Sequence, residues 1–419
     1  MKKLLFIFTA LLSPLAWAEE AAYPDLPAPA QIAAALDSNI NVMTAQTGLK
    51  LEQSNQRKWE AGNHEFNLRA GRAQRQVVNA GQRLKEWDVA LERPIRILGK
   101  AQLDSDIGAE GVARAEYALG DARHEAGRLL LHLWFNWQRE QAQTAQWQQQ
   151  VDILKQQVQM TEKRLQAGDA PRMELNQAAA AVSQAEVSLQ QAQTRSAIAA
   201  VELRRQFPAL VLPQQPGSAE PRPIEHNLDY WKQRFLDDNH QLGMAQADSR
   251  IQQLLAKRSS ADRVPDPTVG LRYSYEMGGN ERVTGVYLFV PFSFGLRGAT
   301  AESAGYQAEI AAERETSVRQ QLENDIYSAY TQATGSYAAW RQAHEAATSM
   351  RQNAELMARA YSLGESSLPD VLTARRLAIE STLAETVARL DANEAHYRLQ
   401  LDTHQLWQQE PHEAAGAQR

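Results

Sequence analysis

This chain repeats itself, and the repeat limits what it can fold into. A strand–turn–strand hairpin, a very long helix, a Gly turn and a returning helix are legible over positions 94 to 203 and again over 291 to 399. Pro94 precedes Gly168 by the same interval, to within one residue, as Pro291 precedes Gly364. One fixed offset lays Leu165-Gln166-Ala167-Gly168-Asp169 on Tyr361-Ser362-Leu363-Gly364-Glu365, Glu174-Leu175 on Asp370-Val371, and Ala178 on Ala374. A tandem duplication accounts for this, so each half supplies one matched element of a larger assembly.

The chain begins with an export signal. Lys2-Lys3, an apolar run from Leu4 to Leu15 and Ala16-Trp17-Ala18 before Glu19 read as a secretory signal peptide over 1–18. There is no cysteine, hence no disulfide, no thiolate metal site and no lipid-modified cysteine after the signal. Beyond it no apolar run approaches the roughly 18 residues of a bilayer-crossing helix. The best, Leu129 to Trp137, contains His132 and Asn136, and a helical inner-membrane protein is excluded. A mean hydropathy of −0.51, a net charge of −6 and a pI near 5.9, with both signs mixed along the chain, argue against a nucleic-acid partner.

Prolines mark the seams. Pro24, Pro27 and Pro29 precede the first half, and Pro208, Pro213, Pro216, Pro221 and Pro223 cluster between the halves. The expected organisation is a first repeat over 19–207, a Pro-rich linker over 208–225, a second repeat over 226–407 and a disordered tail over 408–419. The first repeat holds strands at about 63–94, a long helix at about 100–166 and a return helix at about 171–207. The second holds strands at about 267–294, a long helix at about 299–363 and a return helix at about 368–405.

No proline interrupts positions 100 to 166, so at 1.5 Å per residue that helix reaches roughly 100 Å. Trp147, Val151, Leu154, Val158, Thr161 and Leu165 alternate steps of four and three, a coiled-coil seam. Ala343, Ala347, Met350, Ala354, Met357 and Tyr361 keep the register in the second half. The first return helix carries Leu175, Ala178, Val182, Ala185, Leu189, Ala192, Ser196, Ala199 and Leu203; the second is less regular, with Leu383, Val387, Leu390 and Tyr397 apolar. Such seams report packing rather than chemistry.

The strands have period two. Val269, Leu271, Tyr273 and Tyr275 alternate with Gly270, Arg272, Ser274 and Glu276 before a Gly278-Gly279-Asn280 turn, and Thr284, Val286, Leu288, Val290 and Phe292 follow. The first hairpin offers Phe66, Leu68 and Ala70 against Trp87, Val89 and Leu91. Arms of about ten residues fit a tilted membrane strand, and a soluble hairpin shows the same alternation. Lipid tolerates no open sheet edge, and single-chain barrels need about eight strands, so a membrane reading requires several chains to pool their four.

In this order of elements the chain resembles the TolC family of outer-membrane efflux proteins, from about Ala28 to Trp407. The nearest local matches are Tyr361-x-x-Gly364 leading into Pro369-Asp370-Val371-Leu372-x-x-Ala374, and Gly168 leading into Glu174-Leu175-x-x-Ala178. The resemblance implies a mainly α chain with a small β part. Long antiparallel coiled-coil helices would form an α-barrel, and four strands per chain would be pooled by a homotrimer into a 12-stranded barrel in outer-membrane lipid. It also implies a periplasmic tunnel, a periplasmic adaptor (membrane fusion) protein at the tip, and an inner-membrane resistance–nodulation–division transporter as the energy source. Within the family, Asp266-Pro267-Thr268, the Asn280-Glu281-Arg282 turn and Pro291 are similar to the CzcC-like heavy-metal efflux branch.

The same resemblance points to site residues. Gly168, Asp169, Gly364 and Glu365 fall at the adaptor-docking tip, while Asp370, Glu174, Thr373 and Tyr361 fall at the periplasmic gate. Two departures stand out: Thr373 occupies the second acidic gate position, and Ser366 replaces the basic partner expected two residues after Gly364. The residues admit a second reading, because acids in a first helical turn complement the helix dipole and Ser367-x-x-Asp370 is a capping box. The nine histidines, among them His64, His124, His132 and His344, show no ligand spacing. No metal site or cofactor is expected, and no nucleophile–base constellation marks an enzyme. The competing class is a periplasmic coiled-coil adaptor or scaffold, which carries one helical hairpin flanked by compact β domains.

Overall fold

The computed structural model describes residues 23–215, 217–292 and 295–407; the expected signal peptide and tail lie outside them. The first half runs α1 (Pro29–Asp37), α2 (Ile40–Ala61), β1 (Asn67–Val77), β2 (Gln82–Pro94), α3 (Lys100–Gln166) and α4 (Arg172–Gln206). The second repeats the order as α5 (Leu228–Asp237), α6 (His240–Ala261), β3 (Thr268–Glu276), β4 (Glu281–Phe289), α7 (Leu296–Ser362) and α8 (Leu368–Asp402). The duplication is metrical: α3 and α7 each have 67 residues, α4 and α8 each 35, α2 and α6 each 22. Pro29 opens α1 at its first turn, where its missing N–H costs nothing.

The strands form one antiparallel sheet in the order β1-β2-β3-β4, so β1 and β4 each keep an unpaired edge in the single chain. Register aligns Leu68, Leu91, Leu271 and Val286 in one row and Ala70, Val89, Tyr273 and Thr284 in the next. Facing residues share a face, so these rows make one apolar surface. It is open: Leu68 is 72% exposed and Val286 74%. Trp87 stacks on Tyr275 at 5.9 Å and meets Tyr273 at 5.5 Å, closing the band on the side of the turns.

The opposite face is more polar, with Val283, Tyr287 and Phe289 of β4 its larger groups. Arg75 pairs with Glu86, whose carboxylate also accepts from the Met277 N–H at 3.0 Å. Tyr287 lies flat over Gly270, where a Cβ would collide with its ring, and donates to Glu92 on the far side at 2.5 Å. β4 ends at Phe289, two residues before the donorless Pro291, so Val290 and Phe292 lie beyond the strand.

Helices pair as α3 with α4 and α7 with α8, and α3 also packs on α2, α6 and α8. In α3 buried Val151 and Leu154 pack with buried Ala185 of α4, and Thr161, Ala178 and Ala192 are buried along the same pair of helices. Leu130, Leu131, Leu133, Trp134, Phe135 and Trp137, the apolar run judged too short for a membrane, are the centre of the main core. No described helix is long and apolar enough to cross a membrane.

Into that core runs the segment before α1. Asp25, 1% exposed, accepts from Tyr397 Oη at 2.7 Å and Asn393 Nδ2 at 3.0 Å, while its carbonyl accepts from Trp134 Nε1 at 2.7 Å and Gln138 Nε2 at 2.6 Å. Pro24 O fills the space a Cβ on Gly217 would need. The strap thereby ties α3 of the first half to α8 of the second and to the linker.

A second tie lies between sheet and helices. Lys100 Nζ, fully buried, meets Asp266 Oδ1 at 2.8 Å, Asp262 Oδ1 at 3.1 Å and Val264 O at 2.8 Å. Asp104 accepts from Arg96 and Arg258 on its two oxygens, at 3.1 and 2.6 Å. With every charge matched, burial there is sustainable.

Candidate functional site: the helical tip

The end far from the sheet is made by two identical turns. After α3, Gly168 takes φ 77° and its N–H bonds Leu165 O at 3.0 Å, while Asp169 N–H reaches Arg164 O at 2.8 Å. After α7, Gly364 takes φ 82°, its N–H bonds Tyr361 O at 3.0 Å, and Glu365 N–H reaches Ala360 O at 2.9 Å. Both are Schellman motifs, which need a left-handed residue and therefore favour glycine. Leu363, 66% exposed, and Met173, 63% exposed, stand beside them as uncovered apolar groups.

Just inside the turns four side chains join the two helical hairpins. Tyr361 Oη of α7 donates to Glu174 Oε2 of α4 at 3.1 Å. Arg164 of α3 caps the arrangement: Nη1 donates to Tyr361 Oη, the guanidinium lies 5.0 Å over the Tyr361 ring, and Nε reaches Asp169 Oδ2 at 3.1 Å. Its Nη1 is 3.8 Å from Glu174. The Asp169 hydrogen bond holds the Arg164 pKa above its ordinary value. Burial and the Glu174 carboxylate push the Tyr361 phenol upward as well, so it stays a neutral donor.

Arg164 is the residue the sequence reading missed. A basic partner was sought after Gly364, where Ser366 stands with its Oγ unpaired in the described chain. The cation comes instead from the other hairpin, four residues before Gly168. Its pairing with Asp169 was the legible signal; its contact with Tyr361, across 197 positions, was not.

Asp370 and Thr373 are exposed on α8 and touch neither Glu174 nor Tyr361 among the hydrogen bonds of the described residues. Ser367 Oγ donates to Asp370 Oδ2 at 2.6 Å and accepts from the Asp370 N–H at 3.4 Å, and Thr373 Oγ1 donates back to Pro369 O at 2.8 Å. Ser367 thus caps α8, and the exposed Asp370 carboxylate in the first turn braces that cap. One turn on, Arg375 is driven down in pKa by burial with no carboxylate to offset it, and its Nη1 is 3.4 Å from Gln157 of α3.

The histidines are busier than surface residues. His64, His124, His132 and His344 stand within 3.5 Å of Asp266, Asp402, Glu394 and Glu385, respectively. No group of three His, Asp or Glu among the described residues has metal-holding spacing.

No protein-family profile matches the chain, and no curated protein matches its sequence. Solved structures do. The outer membrane protein VceC of Vibrio cholerae superposes with a TM-score of 0.73 at 17% identity, over 90% of this chain and 95% of that one. The CmeC outer membrane channel of Campylobacter jejuni matches with 0.73 at 14% identity, over 99% and 97%. The open-state MtrE outer membrane channel of Neisseria gonorrhoeae matches with 0.65 at 16% identity, over 91% and 89%. The chain has the fold of these outer-membrane channels over nine tenths or more of its length. Their identities are alike, so the likeness does not single out a heavy-metal branch.

Proposed function

We propose that this chain is the exit duct of a tripartite efflux system, a passive conduit rather than an enzyme. Three copies pool their strands into a 12-stranded barrel in the outer membrane of a Gram-negative bacterium, and their helices form a periplasmic tunnel. A periplasmic adaptor docks on the turns at Gly168, Asp169, Gly364 and Glu365, and an inner-membrane resistance–nodulation–division transporter supplies the energy. The cargo is small solutes, with heavy-metal cations the first class to try because of the Asp266-Pro267-Thr268 hairpin similarity.

One observation carries this reading: a sheet with an exposed apolar face and two unpaired edges, standing on helices about 100 Å long. Water disfavours the face and lipid disfavours the edges, so both are satisfied only in a closed barrel built from several copies. Tyr361, Arg164 and Glu174 then hold the two hairpins together at the closed tip, and Asp370 presents its carboxylate to the pore.

Outer membranes extracted in detergent and run with and without heating test the reading. A large species that collapses to monomer on heating is expected. A soluble periplasmic monomer would overturn it in favour of an adaptor.

A further inference from the structure

The strand register sorts the charges of the sheet by face. Every acid in β1 to β4, namely Glu86, Asp88, Glu92, Glu276 and Glu281, falls on the face that carries Gly270 and Tyr287. The apolar face carries charge of one sign only. Arg93 stands where the sheet meets the helices, and Arg72, Arg83, Lys85 and Arg282 stand at the turn end.

The basic group at the turn end frames the aromatic limit of the apolar band. Arg72, Trp87, Tyr275 and Arg282 share one row, and Lys85 and Arg83 continue along β2 toward the turn. Arg72, Arg83, Lys85 and Arg282 are exposed, and their side chains make no hydrogen bond or ion pair among the described residues. Arg93 differs: it donates to His64 O at 2.9 Å, and its guanidinium lies 4.8 Å over the Phe66 ring. Acids near the turns are engaged on the opposite face, where Arg75 meets Glu86 at 2.6 Å and Glu276 at 3.6 Å. The turns at 78–81 and 277–280 carry no charge, so nothing in the hairpins neutralises the basic row.

Solubility alone does not account for this sorting, since Asp and Glu serve it at least as well as Lys and Arg. The strand edges sharpen the point. Closing β4 of one copy on β1 of the next sets Arg282 and the next copy's Arg72 on adjacent strands of the same face. Like charges so placed repel unless an anion lies between them.

We propose that this row seats the phosphates of an anionic lipid in the leaflet that the turns reach, a seat that rests on the reading of the sheet as the wall of a membrane barrel. Acyl chains lie along Leu68, Leu91, Leu271 and Val286, and the phosphates are held by Arg72, Arg83, Lys85 and Arg282. Guanidinium matches phosphate as a two-pronged donor. Trp87 and Tyr275 mark the level between, where aromatic rings settle beside lipid headgroups.

Lipid A, a bisphosphorylated glycolipid, is the probe, titrated into the detergent-solubilised full-length assembly and counted by native mass spectrometry. The parent should retain it. The same lipid stripped of its phosphates should bind at least about tenfold more weakly, and so should lipid A to the combined Arg72→Gln, Arg83→Gln, Lys85→Gln and Arg282→Gln variant. Arg69→Gln with Arg272→Gln, on the opposite face, should bind as the parent does. Equal binding of the stripped lipid, equal loss in the two variants, or full displacement by equimolar inorganic phosphate overturns the seat. If a variant misassembles, the stripped-lipid comparison on the parent still decides. Heat-modifiable migration reports assembly separately. A parent chain that forms no membrane assembly removes the barrel reading and the seat with it, whereas one that assembles but ignores the phosphates removes the seat alone.

Discussion

Single residues here carry opposite pH signs. Burial raises the Asp25 carboxyl above its ordinary value, with Tyr397 and Asn393 only partly opposing it. A carboxyl that binds its proton more tightly when folded adds stability in acid, and that contribution fades as pH rises through its folded pKa. Asp402 is the reverse. Burial would raise it, yet His124 and Arg128 carry it below the ordinary value, so its contribution is present at neutral pH and lost as pH falls through that lowered pKa. Melting temperatures from about pH 4 to 7 should therefore fall less steeply toward neutrality in Asp25→Asn than in the parent. Asp25→Ala strands the Tyr397 hydroxyl and leaves Asn393 Nδ2 with its bond to Ala219 O, and should cost roughly 1–3 kcal/mol for the group left unpaired. At the tip, Tyr361→Phe keeps the ring under Arg164 but deletes the hydroxyl that bridges to Glu174. Bilayer recordings should show more frequent opening in Tyr361→Phe, while melting temperature barely moves. Asp370→Asn can still accept from the Ser367 hydroxyl that caps α8 and should weaken cation preference and block by trivalent cations, because a trimer loses three charges at one level. Unchanged selectivity would leave Asp370 as a first-turn acid that braces the Ser367 cap.

Elements explain what could be read beforehand. The long helices were legible because an unbroken stretch without proline holds a 3.6-residue pattern, and the sheet because Leu68, Leu91, Leu271 and Val286 fall in phase. The irregular stripe on α8 has a physical cause. Its early part buries Val371, Ala374 and Ala378, but further on it buries Thr386, Asn393, Tyr397 and Asp402 as α3 and the strap close over it. A helix covered on two sides shows no single stripe. Asp25 was illegible for a related reason, since a lone acid among prolines gives no periodicity and its partners lie 109 to 372 positions away. The tip turns yield a prediction at this scale. Gly364→Val forces a β-branched residue into positive φ, which should cost more than the roughly 1 kcal/mol of an ordinary glycine change and should impair pumping before it impairs folding. Photo-crosslinkers at Asp169 and Glu365 should capture a periplasmic adaptor. Crosslinks confined to positions near the sheet would reverse the assigned orientation.

The whole molecule is an incomplete object, and its incompleteness is specific. Each chain ends its sheet with one free edge on β1 and one on β4, and an antiparallel sheet closes when β4 of one copy pairs with β1 of the next. Two copies would give eight strands and three would give twelve; eight meets the minimum for a barrel and twelve exceeds it, and the resemblance favours three. Deleting Val269 to Phe292 removes β3 and β4 and leaves two strands per chain, so three copies offer only six, below that minimum. The unpaired backbone groups would each cost several kcal/mol in hydrocarbon, more than the remaining apolar face returns. The deleted chain should therefore fail to give a heat-modifiable outer-membrane species, even though Val151, Leu154 and their partners still allow its helical hairpins to form. Mass measurement of the intact assembly separates the remaining cases. A mass of three chains supports the twelve-stranded barrel, and a mass of two would keep pooled strands but discard the trimer. A stable membrane-inserted assembly made by the deletion variant would discard pooling itself.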